Sequence, residues 1–136
     1  MSIQTNKIIH INNEHIFGAT TLKDITLPEK NNTALHVCID PEAVMINRKR
    51  LAEELNMPLD NWVLPWQKHT NNMAHVTSND KGKGAYDKNT SIMNVDAVYT
   101  TGPNILIGVF TADCLGILVV DETTPCLCAI HSGWKG

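Results

Sequence analysis

Residues 105–131 read ILIGVFTADCLGILVVDETTPCLCAIH, and this segment carries the strongest signal for the central strands. It contains three apolar runs, 105–111, 115–120 and 126–131, separated by an Asp-Cys pair and by a polar turn. Short runs rich in aliphatic and β-branched residues between polar breaks are typical of strands. We expect the three strands to pair in order and to form the centre of a sheet.

The N-terminal side adds shorter elements. β-branched residues on either side of Asn12-Asn13 predict a hairpin. Asp40 as N-cap and Pro41 at the first helical position predict a helix that ends at Asn56, before Pro58. Further strands are predicted over 35–39, 62–66, 73–77 and 95–100.

These elements predict an α+β fold, a mixed β-sheet sandwich with flanking helices. Central strands need cover on both faces, and one helix cannot cover this sheet. We therefore expect residues 1–136 to be the N-terminal part of a larger single domain. Expressed alone, they are expected to expose an apolar patch, to self-associate and to show little activity.

The composition excludes several classes of protein. The 136 residues carry a net charge of −3, with 43% hydrophobic and 18% charged residues, which is a globular composition without an electrostatic case for nucleic acid or membranes. Residues 1–11 lack the apolar core of a signal peptide. The four cysteines are therefore expected to be thiols or metal ligands, and the basic run 48–50 one turn of a solvated helix.

Residues with reactive or metal-binding side chains cluster near the C-terminal end of the sequence. Asp113 and Cys114 lie at the elbow between two strands, and His131 ends the strand that follows. Strand alternation places Cys126 and Cys128 on the face opposite His131, so these two cysteines are not expected in the same site. The spacing can bring a thiolate and an imidazole together, which leaves a metal site and a nucleophile site both open.

Three segments carry a resemblance to a known family. Residues 67–69 read QKH, residues 111–114 read TADC and residues 131–136 read HSGWKG. Together, and in this order, they resemble the signature motifs of the multicopper polyphenol oxidase or laccase-domain family, also called YfiH. Residues 95–100 and 47–51 resemble the same family. One departure is the stretch 19–24, ATTLKD, where family members carry a Ser-Thr-Arg segment followed by two glycines.

The resemblance implies a zinc-type metal held by His69, Cys114 and His131, with copper as a second option. It also implies purine nucleoside phosphorylase activity on adenosine, inosine and methylthioadenosine, together with adenosine deaminase activity. The partners would be a purine nucleoside and phosphate, without nucleic acid or membrane, in a cytoplasmic and monomeric full-length enzyme. The chain would be the N-terminal part of a YfiH-like domain that stops after the GWKG motif.

The chemistry of these side chains agrees with that site. Two imidazoles and a thiolate are a zinc set with an open fourth position, the pattern of catalytic sites. Asp113 is placed to act as a base or to orient water, and Arg48 is the candidate for binding phosphate. The alternatives are a cysteine hydrolase with a Cys114–His131 dyad, a copper-dependent polyphenol oxidase, or a binding module without activity.

Overall fold

The computed structural model describes residues 6–134, which contain one α-helix and ten strands. The elements in chain order are β1 Lys7–Asn12, β2 Phe17–Thr21, α1 Pro41–Leu55, β3 Trp62–Val63, β4 Pro65–Trp66, β5 Met73–His75, β6 Ile92–Met93, β7 Ala97–Thr100, β8 Leu106–Ile107, β9 Leu115–Asp121 and β10 Cys126–Ser132. Short 3₁₀ turns at 28–31, 59–61, 78–80 and 88–90 connect them. The predicted α+β class is confirmed.

Helix α1 begins and ends at the predicted residues. The carboxylate of Asp40 accepts a hydrogen bond from the Glu42 amide at 3.0 Å and thereby caps the N-terminus. Asn56 takes a left-handed conformation with φ of 51° and ends the helix, a position that asparagine tolerates well. The inward face carries Val44, which has no exposed surface, but it also carries the polar residues Asn47 and Arg48.

The predicted hairpin is also present, as the antiparallel pair β1–β2. The predicted strand over 35–39 is wrong. Asn32 accepts a hydrogen bond from the Ala34 amide at 2.9 Å and donates to the Val37 carbonyl at 2.7 Å, so the chain turns here. Such side-chain bonds compete with strand pairing despite the β-branched residues of this segment.

The largest sheet has the strand order β5–β7–β10–β9. Strands β7 and β9 flank β10 in antiparallel pairs, and β5 runs parallel to β7. The predicted pairing of β9 with β10 is confirmed, with His131 opposite Gly116. Strand β10 is therefore central, and the side chain of Ala129 is packed into a core cluster with Val63, Val76 and Val98.

The expectation that all three C-terminal runs pair in order is wrong for the first of them. Only Leu106 and Ile107 of the run 105–111 form a strand, and this strand β8 pairs in parallel with β3. Ile105 and the half-buried Ile107 pack against the same core as Val63. The burial of these two side chains in the core thus favours pairing of β8 with β3 over pairing with β9.

Strand β9 consequently lies at the sheet edge, with Leu115, Leu118 and Val119 exposed by 62%, 38% and 48%. Beside it lies a large cleft of about 1000 Å³, lined by the β1–β2 hairpin, the loop 29–34, strand β8 and parts of β9 and β10. In the part of the chain that the structure describes, no helix is long and apolar enough to cross a bilayer.

Candidate metal centre

The structure brings His69, Cys114 and His131 together from three separate segments. His69 follows strand β4, Cys114 directly precedes β9, and His131 lies in β10. One ligand atom from each residue lies within 4.8 Å of the other two. The two imidazole rings meet edge to face, with centroids 4.9 Å apart and planes at 81°. Their role as metal ligands stays a prediction.

The donor set fits a zinc ion. Zinc binds imidazole nitrogen at about 2.0–2.1 Å and thiolate sulfur at about 2.3 Å, so ligands of one ion stand within about 4 Å of each other. The three donors are close enough for one ion to reach all of them after small side-chain movements. His131 is 6% exposed and Cys114 is half-buried, whereas His69 is exposed, so the group opens to solvent on the His69 side.

A buried carboxylate that the sequence analysis did not select lies behind the two histidines. Oδ2 of Asp96 is 2.7 Å from Nδ1 of His131, and both side chains are almost completely buried. The same carboxylate accepts hydrogen bonds from the amides of Lys68, His69 and Thr70. The sequence feature that could have identified Asp96 is an acidic residue within the otherwise apolar run 95–98, which reads VDAV.

These contacts keep Asp96 ionised. Burial raises its pKa, but the hydrogen bonds from the Thr70 amide, the His131 ring and the Lys68 amide outweigh burial, so the pKa lies below its usual value. A charged carboxylate only accepts hydrogen bonds, so Nδ1 of His131 carries the proton. Nε2 of His131 is then the nitrogen with a free lone pair for a metal.

A second polar contact joins the segment of His69 to that of Cys114. The side-chain amide of Gln67 donates to the carbonyl of Phe110 at 2.8 Å, and its oxygen accepts from the Phe110 amide at 2.6 Å. Gln67 is 8% exposed, so the pair is shielded from competing water. The first residue of the QKH motif thus has a structural task, to hold two ligand-bearing segments side by side.

Gly133 leaves the space that the three side chains use. A Cβ at this position would lie 2.9 Å from Cδ2 of His69 and 3.9 Å from Sγ of Cys114. A contact of 2.9 Å is too short for carbon atoms, so any side chain here would displace the His69 ring.

We expect Gly133→Ala to weaken zinc binding by at least about tenfold, because the added methyl group moves one of three ligands while the rest of the chain folds normally. Zinc affinity is measured by competition with a chromophoric chelator. Gly108→Ala is the matched control, since a Cβ there would meet only Leu64 at 3.5 Å, an ordinary contact. Equal zinc affinities in both variants would show that Gly133 is not needed for the site.

The other two predicted site residues lie in different surroundings. Asp113 is exposed and lines the cleft beside β9, directly before Cys114. Arg48 is 1% exposed, so the expectation of a solvated helix face is wrong for this residue. Its guanidinium donates to the carbonyls of Thr33, Gly84 and Ala85 at 2.6–2.7 Å. Burial lowers the pKa of Arg48 to about 10, with a small opposing contribution from Cys38.

These bonds give Arg48 a structural task, because they tie helix α1 to two loops. Its predicted role in phosphate binding stays a prediction, and the engagement of its donors by carbonyls weighs against it.

Aromatic and cationic side chains surround His36. Its ring lies 5.2 Å from that of Phe110 and 6.3 Å from that of Trp66. The ammonium groups of Lys68 and Lys88 lie 4.8 and 5.6 Å from the Trp66 ring centre. Burial lowers the pKa of His36, and the positive charges of Arg48, Lys68 and Lys88 lower it further. The side chains of Arg48, Lys68 and Lys88 thus place positive charge near His36.

The chain is similar in sequence and in fold to known proteins. The sequence profile of the family described as multi-copper polyphenol oxidoreductase laccase matches residues 24–136. Purine nucleoside phosphorylase YlmD from Bacillus subtilis is 33% identical over 137 residues, which cover 98% of this chain and 48% of that protein. Its namesake from Geobacillus stearothermophilus is 39% identical over 105 residues, 77% of this chain and 38% of that protein.

Solved structures show the same fold. The crystal structure of YlmD from Geobacillus stearothermophilus matches 78% of this chain and 39% of its own, with a TM-score of 0.76 and 39% identity. The crystal structure of a Bacillus licheniformis hypothetical protein, YfiH, matches 78% of this chain and 40% of its own, with the same TM-score and 34% identity. The chain thus spans less than half the length of these relatives. A profile match across most of the sequence, with a site built from the expected motifs, shows that the chain belongs to the multi-copper polyphenol oxidoreductase laccase family, the YfiH proteins.

Proposed function

We propose that this chain belongs to a zinc-dependent purine nucleoside phosphorylase that acts on adenosine, inosine and methylthioadenosine and also deaminates adenosine. The observation that carries the proposal is the meeting of His69, Cys114 and His131 within 4.8 Å. The names of the relatives support the phosphorylase reaction, and the family resemblance supports the deaminase activity and the choice of nucleosides.

A bound zinc ion would supply a Lewis acid that polarises an oxygen atom of a substrate or of water. Asp113, exposed at the rim of the cleft and next to Cys114, would exchange a proton with the purine or orient a water molecule. The cleft of about 1000 Å³ is large enough for a nucleoside; the three ligand candidates do not line it, and Asp113 connects its lining to the neighbouring Cys114.

Phosphate needs a cation within reach. Arg48 was the residue predicted from the sequence, but it is 1% exposed and its Nε and Nη1 already donate to three carbonyls. We place phosphate instead near Lys68 and Lys88, whose exposed ammonium groups lie over Trp66. Lys68 is the neighbour of His69 in the sequence, which would keep the anion close to the metal ligands.

The cysteine hydrolase is the second candidate, and one observation favours it. Asp96, His131 and Cys114 form a carboxylate–imidazole–thiol series of the kind that activates a nucleophile. Such a triad has no use for His69, whereas a metal site needs a third ligand. The position of His69 beside the other two therefore supports the metal.

Metal analysis of the purified protein tests the proposal. We expect about one zinc ion per chain, its removal by a chelator, and recovery of phosphate-dependent hypoxanthine release from inosine when zinc is returned. Copper in place of zinc, with oxidation of a phenol, would support the polyphenol oxidase instead. Activity that survives complete metal removal would point to the cysteine hydrolase.

Two expectations about the whole protein rest on the family resemblance alone. They are a cytoplasmic location and a monomeric full-length enzyme. Gel filtration with light scattering tests the second, and a dimer would contradict it.

A further inference from the structure

One carboxylate holds both histidines of the metal centre. Asp96 accepts five hydrogen bonds, from the ring of His131, from three successive amides at residues 68–70, and from the hydroxyl of Thr70. We propose that Asp96 is the positioning residue of this site, which prearranges His69 and His131 before the metal binds. The inference rests on the proposed metal-dependent function and assigns a role to a residue outside the ligand set.

Asp96 fixes His131 through two hydrogen bonds. The ring is bonded through Nδ1 to Oδ2 of Asp96 at 2.7 Å, and the backbone amide of His131 donates to the backbone carbonyl of Asp96, also at 2.7 Å. Because the carboxylate already accepts four other donors, Nδ1 of His131 must donate as well. The ring then has a single tautomer and a single orientation, with Nε2 available as the ligand atom.

Asp96 fixes His69 through hydrogen bonds from the backbone. His69 has a φ of 58°, a left-handed conformation that is strained for a residue with a Cβ. The amides of Lys68, His69 and Thr70 point at the Asp96 carboxylate at 3.2, 3.0 and 2.8 Å. This arrangement needs the left-handed turn, so the carboxylate stabilises the conformation that presents the His69 ring to the other ligands.

The decisive variant is Asp96→Asn, which keeps the size of the side chain but replaces one of its two acceptor oxygens with a donor group. An asparagine side chain has one acceptor oxygen, and its NH2 group would face at least one of the five donors. We expect zinc affinity to fall about 10- to 100-fold, the range seen when partners of metal ligands are lost. Asp80→Asn is the matched control, because Asp80 also accepts from a backbone amide and a lysine, but in the separate turn at 77–83. Its zinc affinity is expected to equal that of the wild type.

Two spectroscopic readouts separate positioning from general damage. In the metal-free protein, ¹⁵N NMR of the histidine rings should show a proton on Nδ1 of His131, and this single state should be lost in Asp96→Asn. In Co²⁺-loaded Asp96→Asn, the thiolate band from Cys114 should be the same as in the Co²⁺-loaded wild type, whereas the ligand-field bands should differ. A merely structural residue would leave both spectra unchanged in the folded fraction.

Thr70→Val is the milder variant for the case that Asp96→Asn does not fold. It removes the hydroxyl, which donates to Asp96 at 3.0 Å and accepts from the exposed Asn72 amide at 3.1 Å, and it keeps the three amides, so zinc affinity should fall about fivefold. Unchanged zinc affinity in Asp96→Asn, or in Thr70→Val if that is the variant that folds, would overturn this inference alone. A wild-type protein that binds no zinc would overturn the inference and the proposed function together.

Discussion

Cys114→Ala is expected to lower phosphate-dependent release of hypoxanthine from inosine by at least about 1,000-fold in the full-length protein. The substitution removes the thiolate from a three-ligand set, and a Lewis acid contributes several kcal/mol to such a reaction, with about 1.4 kcal/mol for each factor of ten. Bound zinc should be lost in parallel. A variant that keeps both zinc and activity would remove Cys114 from the site.

His69→Ala separates the two enzyme hypotheses that Cys114→Ala leaves together. The metal-dependent reaction should fall to the level of Cys114→Ala, because two ligands hold zinc poorly. A cysteine hydrolase needs only Cys114 and His131 and should keep its activity. His75→Ala is the control, since His75 is an exposed histidine stacked on Tyr99 at 4.7 Å, outside the ligand group. Full activity in His69→Ala would favour the hydrolase.

The second large effect concerns stability. Arg48→Ala is expected to lower the free energy of unfolding by about 3–4 kcal/mol, because it leaves three carbonyls without their donor and opens a cavity at a fully buried position. In a chain of this size that corresponds to about 10–15 °C in the melting temperature. Calorimetry or denaturant unfolding measures it. Lys49→Ala, at the exposed neighbouring position, should change stability by less than about 0.5 kcal/mol.

A further variant at the same position decides between the structural and the phosphate role of Arg48. Lysine keeps the positive charge but lacks the planar fork that reaches several carbonyls. We expect Arg48→Lys to lower the melting temperature and to leave the KM for phosphate unchanged. The reverse result, an unchanged melting temperature with a KM raised tenfold or more, would support the phosphate role predicted from the sequence. Lys68→Ala should then show no effect on this KM.

Local signals predicted the elements whose cause is local. The boundaries of α1 follow from Asp40, Pro41 and Asn56, whose side chains and backbone preferences act within one turn. The pair β9–β10 follows from two apolar runs joined by a short turn. The pairing of β8 could not be predicted from local signals, because its parallel partner β3 lies far away in the sequence. The burial of Ile105 and Ile107 against the core favours this pair.

The same division applies to the site. The sequence alone predicted the three ligand candidates, because His69, Cys114 and His131 each stand in a short motif whose residues are consecutive in the chain. The contacts that hold these three side chains appear only in the folded chain. Asp96 reaches His131 across 35 positions and the amides of 68–70 across 26 to 28. Arg48, polar and on a helix, is turned inward because carbonyls of two loops meet it there. A buried charge is tolerated only where distant segments supply its hydrogen bonds, and no local pattern records which segments will meet.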